Sequence, residues 1–316
     1  MTYIIFPDFD YYDYILQPLD NKSNISLVKI NLTKRRFTDK LMDYLSRFTD
    51  KIPYISKCCF LMKRKQLQKQ LNKLTQKDSI LLFNPLTIYS LSDIIWLKKN
   101  SCNAKISVWN WNIIKQNQIK YYLSLKANRI DVYSFDENDS KKFGLNYLPQ
   151  VYRNFDRGDI VNIDSPYDYI FIGRSKGREE EILEISKLLD KAGANGEIII
   201  IDSNNKDIAN FKYLSEAISY QSIIDLESKA KILIDIVQKN QVGLTLRVME
   251  ALYLNKKVIT NNHSIDKYPW YTPEQFYIIG KRNPNEISNF IITPINKIDK
   301  TLLSPHAIDN WIDRFK

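Results

Sequence analysis

The stretch that decides the fold is Asp235 to Asn261, DIVQKNQVGLTLRVMEALYLNKKVITN. It reads as a buried strand ending near Val237, a turn through Gly243, a short helix from about Thr245, and a second buried strand, Lys257-Val-Ile-Thr260. Arg247 and Glu250 stand three positions apart and share one face of the helix. Their order runs against the helix dipole, which prefers acid in the first turn and base later. A purely structural pair is more naturally written Glu-x-x-Arg. An arginine just inside a helix that follows a glycine turn suits an anion from elsewhere: open N–H groups at the entrance favour phosphate, and the guanidinium adds a two-pronged partner. Glu250, nearly one turn further in, has the chemistry to accept hydrogen bonds from a ribose diol. The spacing fits a plainer reading equally well, a core helix packing Leu246, Met249 and Leu252 beside an incidental surface ion pair.

Working outward, the strand of residues 232–237 follows a helix near residues 222–230 and an earlier strand, Gly196-Glu-Ile-Ile-Ile-Ile201. Before these, Tyr167-Asp-Tyr-Ile-Phe-Ile172 reads as a strand that ends at Gly173-Arg174-Ser175-Lys176-Gly177-Arg178 and passes into a helix over residues 179–191. A strand, a basic glycine-containing turn and a helix make a phosphate-binding arrangement, because main-chain N–H groups and cationic side chains converge on one anion. The turn is neither a P-loop nor a Gly-x-Gly-x-x-Gly fingerprint.

The first half repeats the alternation. Strand candidates are Tyr3-Ile-Ile-Phe6, Ile25-Ser-Leu-Val-Lys-Ile30, Ser79-Ile-Leu-Leu-Phe83, Lys105-Ile-Ser-Val-Trp109 and Ile130-Asp-Val-Tyr133, with helical stretches at residues 39–48, 57–76 and 90–98 between them. Strand alternating with helix argues for an α/β domain with a parallel sheet, whose ligands bind at strand carboxyl ends. Asp8, Asp10, Asp13, Asn84 and the Trp109-Asn-Trp111-Asn112 group all follow strands and are expected to line one crevice, although such residues are commonly plain turn and cap residues. Asp8-x-Asp10 has the look of a divalent-metal pair. At the first strand it reads better as the source of one general base, which needs no second ligand.

From Lys57 to Lys77 the chain is strongly basic, with Lys65, Lys69, Lys73 and Lys77 on a ridge opposite Leu67, Leu71 and Leu74. The ridge suits an anionic membrane surface, or simply a solvated helix face. No zinc-finger, RNP or helix-turn-helix pattern points to nucleic acid. The formal charge of +10 implies some acidic partner. Cys58, Cys59 and Cys102 form neither a disulfide framework nor a zinc pattern, and His263 and His306 are too few for a histidine metal site. With no secretion signal and no apolar run of membrane-spanning length, a reducing, cytoplasmic location is expected, peripheral on the membrane's inner face if the basic helix docks there.

With both halves read, the chain resembles the GT-B glycosyltransferases of bacterial surface polysaccharide synthesis (capsule, exopolysaccharide, lipopolysaccharide). The resemblance rests on Leu233-Ile-Asp235-Ile, on Gln241-x-Gly243-Leu-Thr245-x-Arg247-x-x-Glu250-x-Leu252 and on Lys256-Lys-Val-Ile-Thr260-x-Asn262. Phe171-Ile-Gly173-Arg174-x-Lys176-Gly-Arg178, Trp109-x-Trp111-Asn112, Phe135-Asp136 with Asp139, and Tyr271 support it. It implies two Rossmann-like α/β domains with parallel sheets facing across a cleft: residues 1–152 for the acceptor, residues 153–300 for the nucleotide-sugar donor, and a segment 301–316 packing back toward the first. It implies donor binding by Gly173, Arg174, Lys176, Arg178, Gly243, Leu244, Thr245, Arg247 and Glu250, with Glu250 on the ribose. Trp109, Trp111 and Asn112 fall on the acceptor side, and Asp8, Asp10, Arg174 and Arg247 are the catalytic candidates. No metal and no cofactor beyond the nucleotide-sugar substrate, UDP-linked by preference, is implied. The acceptor is a growing glycan or its lipid-linked precursor. Many retaining members carry a second glutamate eight positions before the ribose acid. Here that position is Val242, so inversion or retention stays open. An epimerase or phosphorylase of the same architecture, or a non-catalytic partner subunit, are the alternatives.

Overall fold

A computed structural model describes residues 1–30, 74–87, 89–155, 165–202 and 211–315. Two six-stranded sheets, parallel throughout, make up the molecule. The first holds β1 (Thr2–Pro7), β2 (Ile25–Ile30), β3 (Ser79–Phe83), β4 (Lys105–Asn110), β5 (Asp131–Ser134) and β6 (Asn146–Tyr147), in the order β2-β1-β3-β4-β5-β6. Its helices are α1 (Asp10–Leu16), α2 (Leu91–Asn100), α3 (Ile119–Ala127) and α4 (Glu137–Phe143).

The second sheet holds β7 (Tyr167–Gly173), β8 (Gly196–Ile201), β9 (Phe211–Leu214), β10 (Ala230–Asp235), β11 (Lys257–Thr260) and β12 (Phe276–Ile278). Its helices are α5 (Glu179–Lys191), α6 (Tyr220–Ser228), α7 (Leu246–Leu254) and α8 (Ile287–Ile292), and a last short helix, α9 (Ile308–Trp311), ends the chain. Read from β9, the strand order is β9-β8-β7-β10-β11-β12, the doubly wound order whose direction reverses between its first and fourth strands. The reversal lies between β7 and β10, the two strands that feed the turns at 173–178 and 236–245. In the first sheet it lies between β1 and β3, beside Asp8, Asp10 and Asn84.

Burial follows from the strand sequences. β1, β3 and β10 are apolar runs with almost every residue buried, as parallel strands covered on both faces require. Segment 301–315 belongs spatially to the first sheet: Ile308, Trp311, Ile312 and Phe315 pack with Ile4, Phe6, Phe83 and Trp109. Tyr152 exchanges backbone hydrogen bonds with His306 and Ile308 there, each 2.9 Å long. The apolar contact between the halves includes Ile15 of α1 and Tyr152 against Leu244, Val248 and Tyr253.

Several sequence expectations change. Short edge strands β6, β9 and β12 escaped the reading because two to four residues show no period. Trp109, expected at the acceptor crevice, is fully buried between Phe83 and Trp311, its ring donating to the Leu148 carbonyl. Its side chain follows the inward face of β4, which the C-terminal segment covers. The basic helix expected from Lys57 lies outside the described residues up to position 73. Residues 74–77 form a turn, where Asp78 accepts from the Thr75 N–H and hydroxyl.

Lys257 places a charge in the core of the second domain, 5% exposed and bonded to the carbonyls of Phe290 and Ile291. Burial, reinforced by the nearby charge of Lys231, pushes its ammonium down to about 8. A lowered folded-state value means the stability this group supplies is complete above the ordinary lysine range near ~10.4 and is lost as the pH falls through about 8. We therefore expect the stability of Lys257→Met minus that of the wild type to grow as the pH falls from about 10.4 to about 8 and to level off below it. Urea titrations at stepped pH measure this, and a pH-independent difference would contradict it.

Candidate active site

Helix α7 begins where the sequence suggested. Thr245 is its N-cap, accepting from the Val248 N–H, and its hydroxyl donates to Asp235 at 2.7 Å. Asp235, at the end of β10, also accepts from the Thr260 hydroxyl at 3.0 Å and is buried. Burial raises its carboxyl above the usual range, against the pull of both hydroxyls. The turn is thus fastened to β10 and β11 before any ligand is considered. Leu244 is core, 1% exposed.

The anion at this helix entrance is already present, and it comes from the other domain. One Asp136 oxygen accepts from the N–H groups of both Val242 and Gly243, each at 2.8 Å, while the other caps α4 by accepting from the Asp139 N–H at 3.0 Å. Gly243 is required by this approach. A Cβ there would lie 2.7 Å from the Phe135 ring and 2.9 Å from its carbonyl oxygen. The Gly243 N–H, expected to meet the donor diphosphate, is committed to Asp136.

Arg247 and Glu250 do pair, at 3.4 Å, yet neither lies on the surface. Arg247 also meets Glu227 of α6, a carboxylate with no exposed surface, and donates to the Ile172 carbonyl at the end of β7. Glu250 accepts from the Tyr220 hydroxyl at 2.6 Å, and the Tyr152 hydroxyl lies 3.3 Å from that of Tyr220. Burial raises the Glu250 carboxyl, opposed first by Arg247 and then by the Tyr220 hydrogen bond. Glu227 and Tyr220 were missed from sequence; on α6, 20 and 27 positions before Arg247, nothing in their spacing ties them to it.

The basic turn divides its labour. Arg178 faces inward, donating to the carbonyls of Arg174, Ser175 and Ile236. Expected to meet the donor, it instead ties the turn to the chain leaving β10. Arg174 and Lys176 are exposed, and among the described residues neither pairs with a carboxylate. Lys176 takes a left-handed conformation at φ 50° and Gly177 follows at 79°. A non-glycine residue held there is strained by roughly 1 kcal/mol or more, a feature that gathers at binding sites. Although the residue as a whole is exposed, desolvation of its ammonium end, then the charges of Arg178, Arg174 and Lys115, lower the Lys176 ammonium. Lys115, on the loop after β4, therefore reaches the same electrostatic neighbourhood from the first domain, and the sequence reading passed over it.

Across from this turn, Asp8 and Asp10 diverge. Asp8 lies 3.4 Å from Lys29, which also meets Asp13 at 2.5 Å. Asp10 accepts from the Tyr220 N–H at 2.5 Å, at the first residue of α6. Among the described residues no three His, Cys, Asp or Glu side chains gather as metal ligands. No helix among them is long and apolar enough to cross a membrane. Trp111 is half-buried against Tyr11, 5.2 Å between rings, and Asn112 is exposed, donating to Asn84 at 3.2 Å.

No protein-family model matches the sequence, and no curated protein matches it. Solved structures do match in shape. One is an α,α-trehalose-phosphate synthase (UDP-forming) from Burkholderia xenovorans in complex with glucose-6-phosphate: 11% identity, TM-score 0.58, covering 99% of this chain and 98% of that one. Another is the α,α-trehalose-phosphate synthase (UDP-forming) from Burkholderia vietnamiensis: 9% identity, TM-score 0.59, covering 100% and 98%. Both lengths match almost fully, and the fold is GT-B, two Rossmann-like domains with parallel sheets.

Gly243→Ala is expected to cost about 1–3 kcal/mol, the usual range for forcing atoms into a filled contact. Chemical denaturation measures it, and a loss below about 0.5 kcal/mol would contradict the close approach of Phe135.

Proposed function

We propose that this chain is a glycosyltransferase that moves a sugar from a nucleotide-sugar donor to a glycan or lipid-linked acceptor, with bacterial surface polysaccharide as the setting. The observation that carries the reading is the 173–178 turn. It stands at the switch point of a doubly wound sheet and presents unpaired Arg174 and Lys176 beside the buried Arg247–Glu250 pair. Ligands of such sheets bind there, and two unpaired cations on a strained turn suit a diphosphate. UDP is the favoured carrier because the Burkholderia proteins of the same shape are UDP-forming.

In this reading the sugar–phosphate bond breaks while Arg174 and Lys176 take up the charge developing on the leaving diphosphate. Glu250 accepts from the ribose diol, and Arg247, held by Glu227, opposes the rise that burial imposes on that carboxyl. The route runs without a metal ion, on these cations alone. If the configuration inverts, a carboxylate of the first domain must take the acceptor proton. Asp10 already accepts the Tyr220 N–H, so Asp8 is the better candidate. Trp111 and Asn112, beside Tyr11, offer the acceptor a mixed aromatic and polar edge. Membrane contact through residues 57–77 remains part of the proposal, with inner-face cytoplasmic action as its corollary.

Calorimetric titration with UDP, GDP and CMP tests the reading. We expect UDP to bind, Glu250→Gln to weaken it at least tenfold, and Arg174→Ala to raise the transfer barrier by about 2–4 kcal/mol, a loss of roughly 30- to 1,000-fold in rate. A folded wild type that binds none of the three nucleotides would instead favour a non-catalytic partner of the same fold.

A further inference from the structure

Two helices carry the buried donor network: α6 supplies Tyr220 and Glu227, and α7 supplies Arg247 and Glu250. The N-terminal end of each is held by an aspartate of the other domain. Asp10, the first residue of α1, accepts from the Tyr220 N–H at 2.5 Å. Asp136 accepts from Val242 and Gly243 at 2.8 Å, in the turn that enters α7. A carboxylate at a helix start is matched both to open N–H groups and to the positive end of the dipole. Neither contact is incidental to the packing: α1 lies directly against α6, and Phe135 closes over Gly243 so tightly that no side chain fits. Asp136 is itself fixed, 1% exposed and capping α4 with its second oxygen.

We propose that Asp10 and Asp136 are positioning residues that reach across the cleft and hold the entrances of α6 and α7, so that the Tyr220–Glu250–Arg247–Glu227 network takes its binding arrangement only when the two domains are in contact. The inference rests on the nucleotide-sugar reading for its ligand, and on hydrogen bonds alone for its mechanism. It also gives Asp10 a use other than proton transfer. Because coupling is reciprocal, a nucleotide that needs the arranged network must in turn strengthen both interdomain contacts.

Hydrogen exchange and calorimetry on the full chain test this. In the wild type, UDP at saturating concentration is expected to slow exchange of the Tyr220 and Gly243 amides. It is also expected to slow exchange in residues 10–16 and 135–143 of the first domain. In Asp10→Ala and Asp136→Ala, α6 and α7 are expected to exchange faster and UDP affinity to fall at least tenfold at temperatures well below unfolding. Asp10→Asn recovers most of the affinity, since an amide oxygen still accepts the Tyr220 N–H. A purely structural role would lower the melting temperature and leave UDP affinity within twofold, and that result overturns the proposal. Should the alanine variants not fold, the wild-type arm decides alone: protection confined to the second domain overturns it. If the wild type binds no UDP, the function reading fails first. The positioning role is then judged on exchange, and unchanged α6 and α7 in the folded aspartate variants would reject it.

Discussion

Asp136 sets one oxygen against two main-chain N–H groups of the opposite domain, and much of the molecule is arranged to keep it there. The carboxylate is buried, so its desolvation must be met by hydrogen bonds in full. Three N–H donors meet it: Val242, Gly243 and Asp139. That demand fixes Asp136, two residues beyond β5, as the cap of α4, fixes glycine at 243, and brings Phe135 against the turn. Asn262 steadies the same turn from behind, donating to the Val242 carbonyl at 3.2 Å. The interface is therefore specified through backbone geometry as much as through apolar contact.

The second constraint is electrostatic. Glu227 and Glu250 share Arg247 in a nearly dry site, with Asp235 close by. Two carboxyl groups and one guanidinium where water hardly reaches make an arrangement that costs stability compared with an apolar core of the same volume. A fold keeps such a group when it has a use. Tyr220 and the hydroxyls of Thr245 and Thr260 offset part of the penalty by donating to these acids. The Ile172 carbonyl accepts from the same arginine and ties it to the end of β7, beside the basic turn.

Much of the architecture was legible because parallel strands buried on both faces are written as apolar runs. Ile25–Ile30, Ser79–Phe83, Gly196–Ile201 and Lys257–Thr260 could be bounded from sequence to the residue. The start of α7 near Thr245 was equally visible, but its use as the cap was not: the resemblance assigns Thr245 to the donor. The candidate site was legible only by position. Sequence put Arg247 and Glu250 on one face but could not say whether that face met water or Glu227, because the answer depends on a helix packed from elsewhere in the chain. Arg178 and Trp109 show the same limit. Both were correctly placed after or within a strand, and both point inward because a neighbouring segment, the exit of β10 or the C-terminal helix, covers them.

The chain has two turns suited to an anion, and their different occupancy gives them different work. At 242–243 the N–H groups are taken by an internal carboxylate, so a phosphate arriving there would face a fixed negative charge at hydrogen-bonding distance. At 173–178 the situation reverses: the turn presents Arg174 and Lys176, and desolvation, then the charges of Arg178, Arg174 and Lys115, lower the Lys176 ammonium. In the proposed reading an incoming dianion is therefore repelled from one turn and drawn to the other, though both open beside the same strand pair. The internal carboxylate does more than join the domains. In the proposed reading, by filling the nearer helix entrance it leaves the basic turn to the donor diphosphate, between the Ile172 end of β7 and the loop of the first domain that carries Lys115.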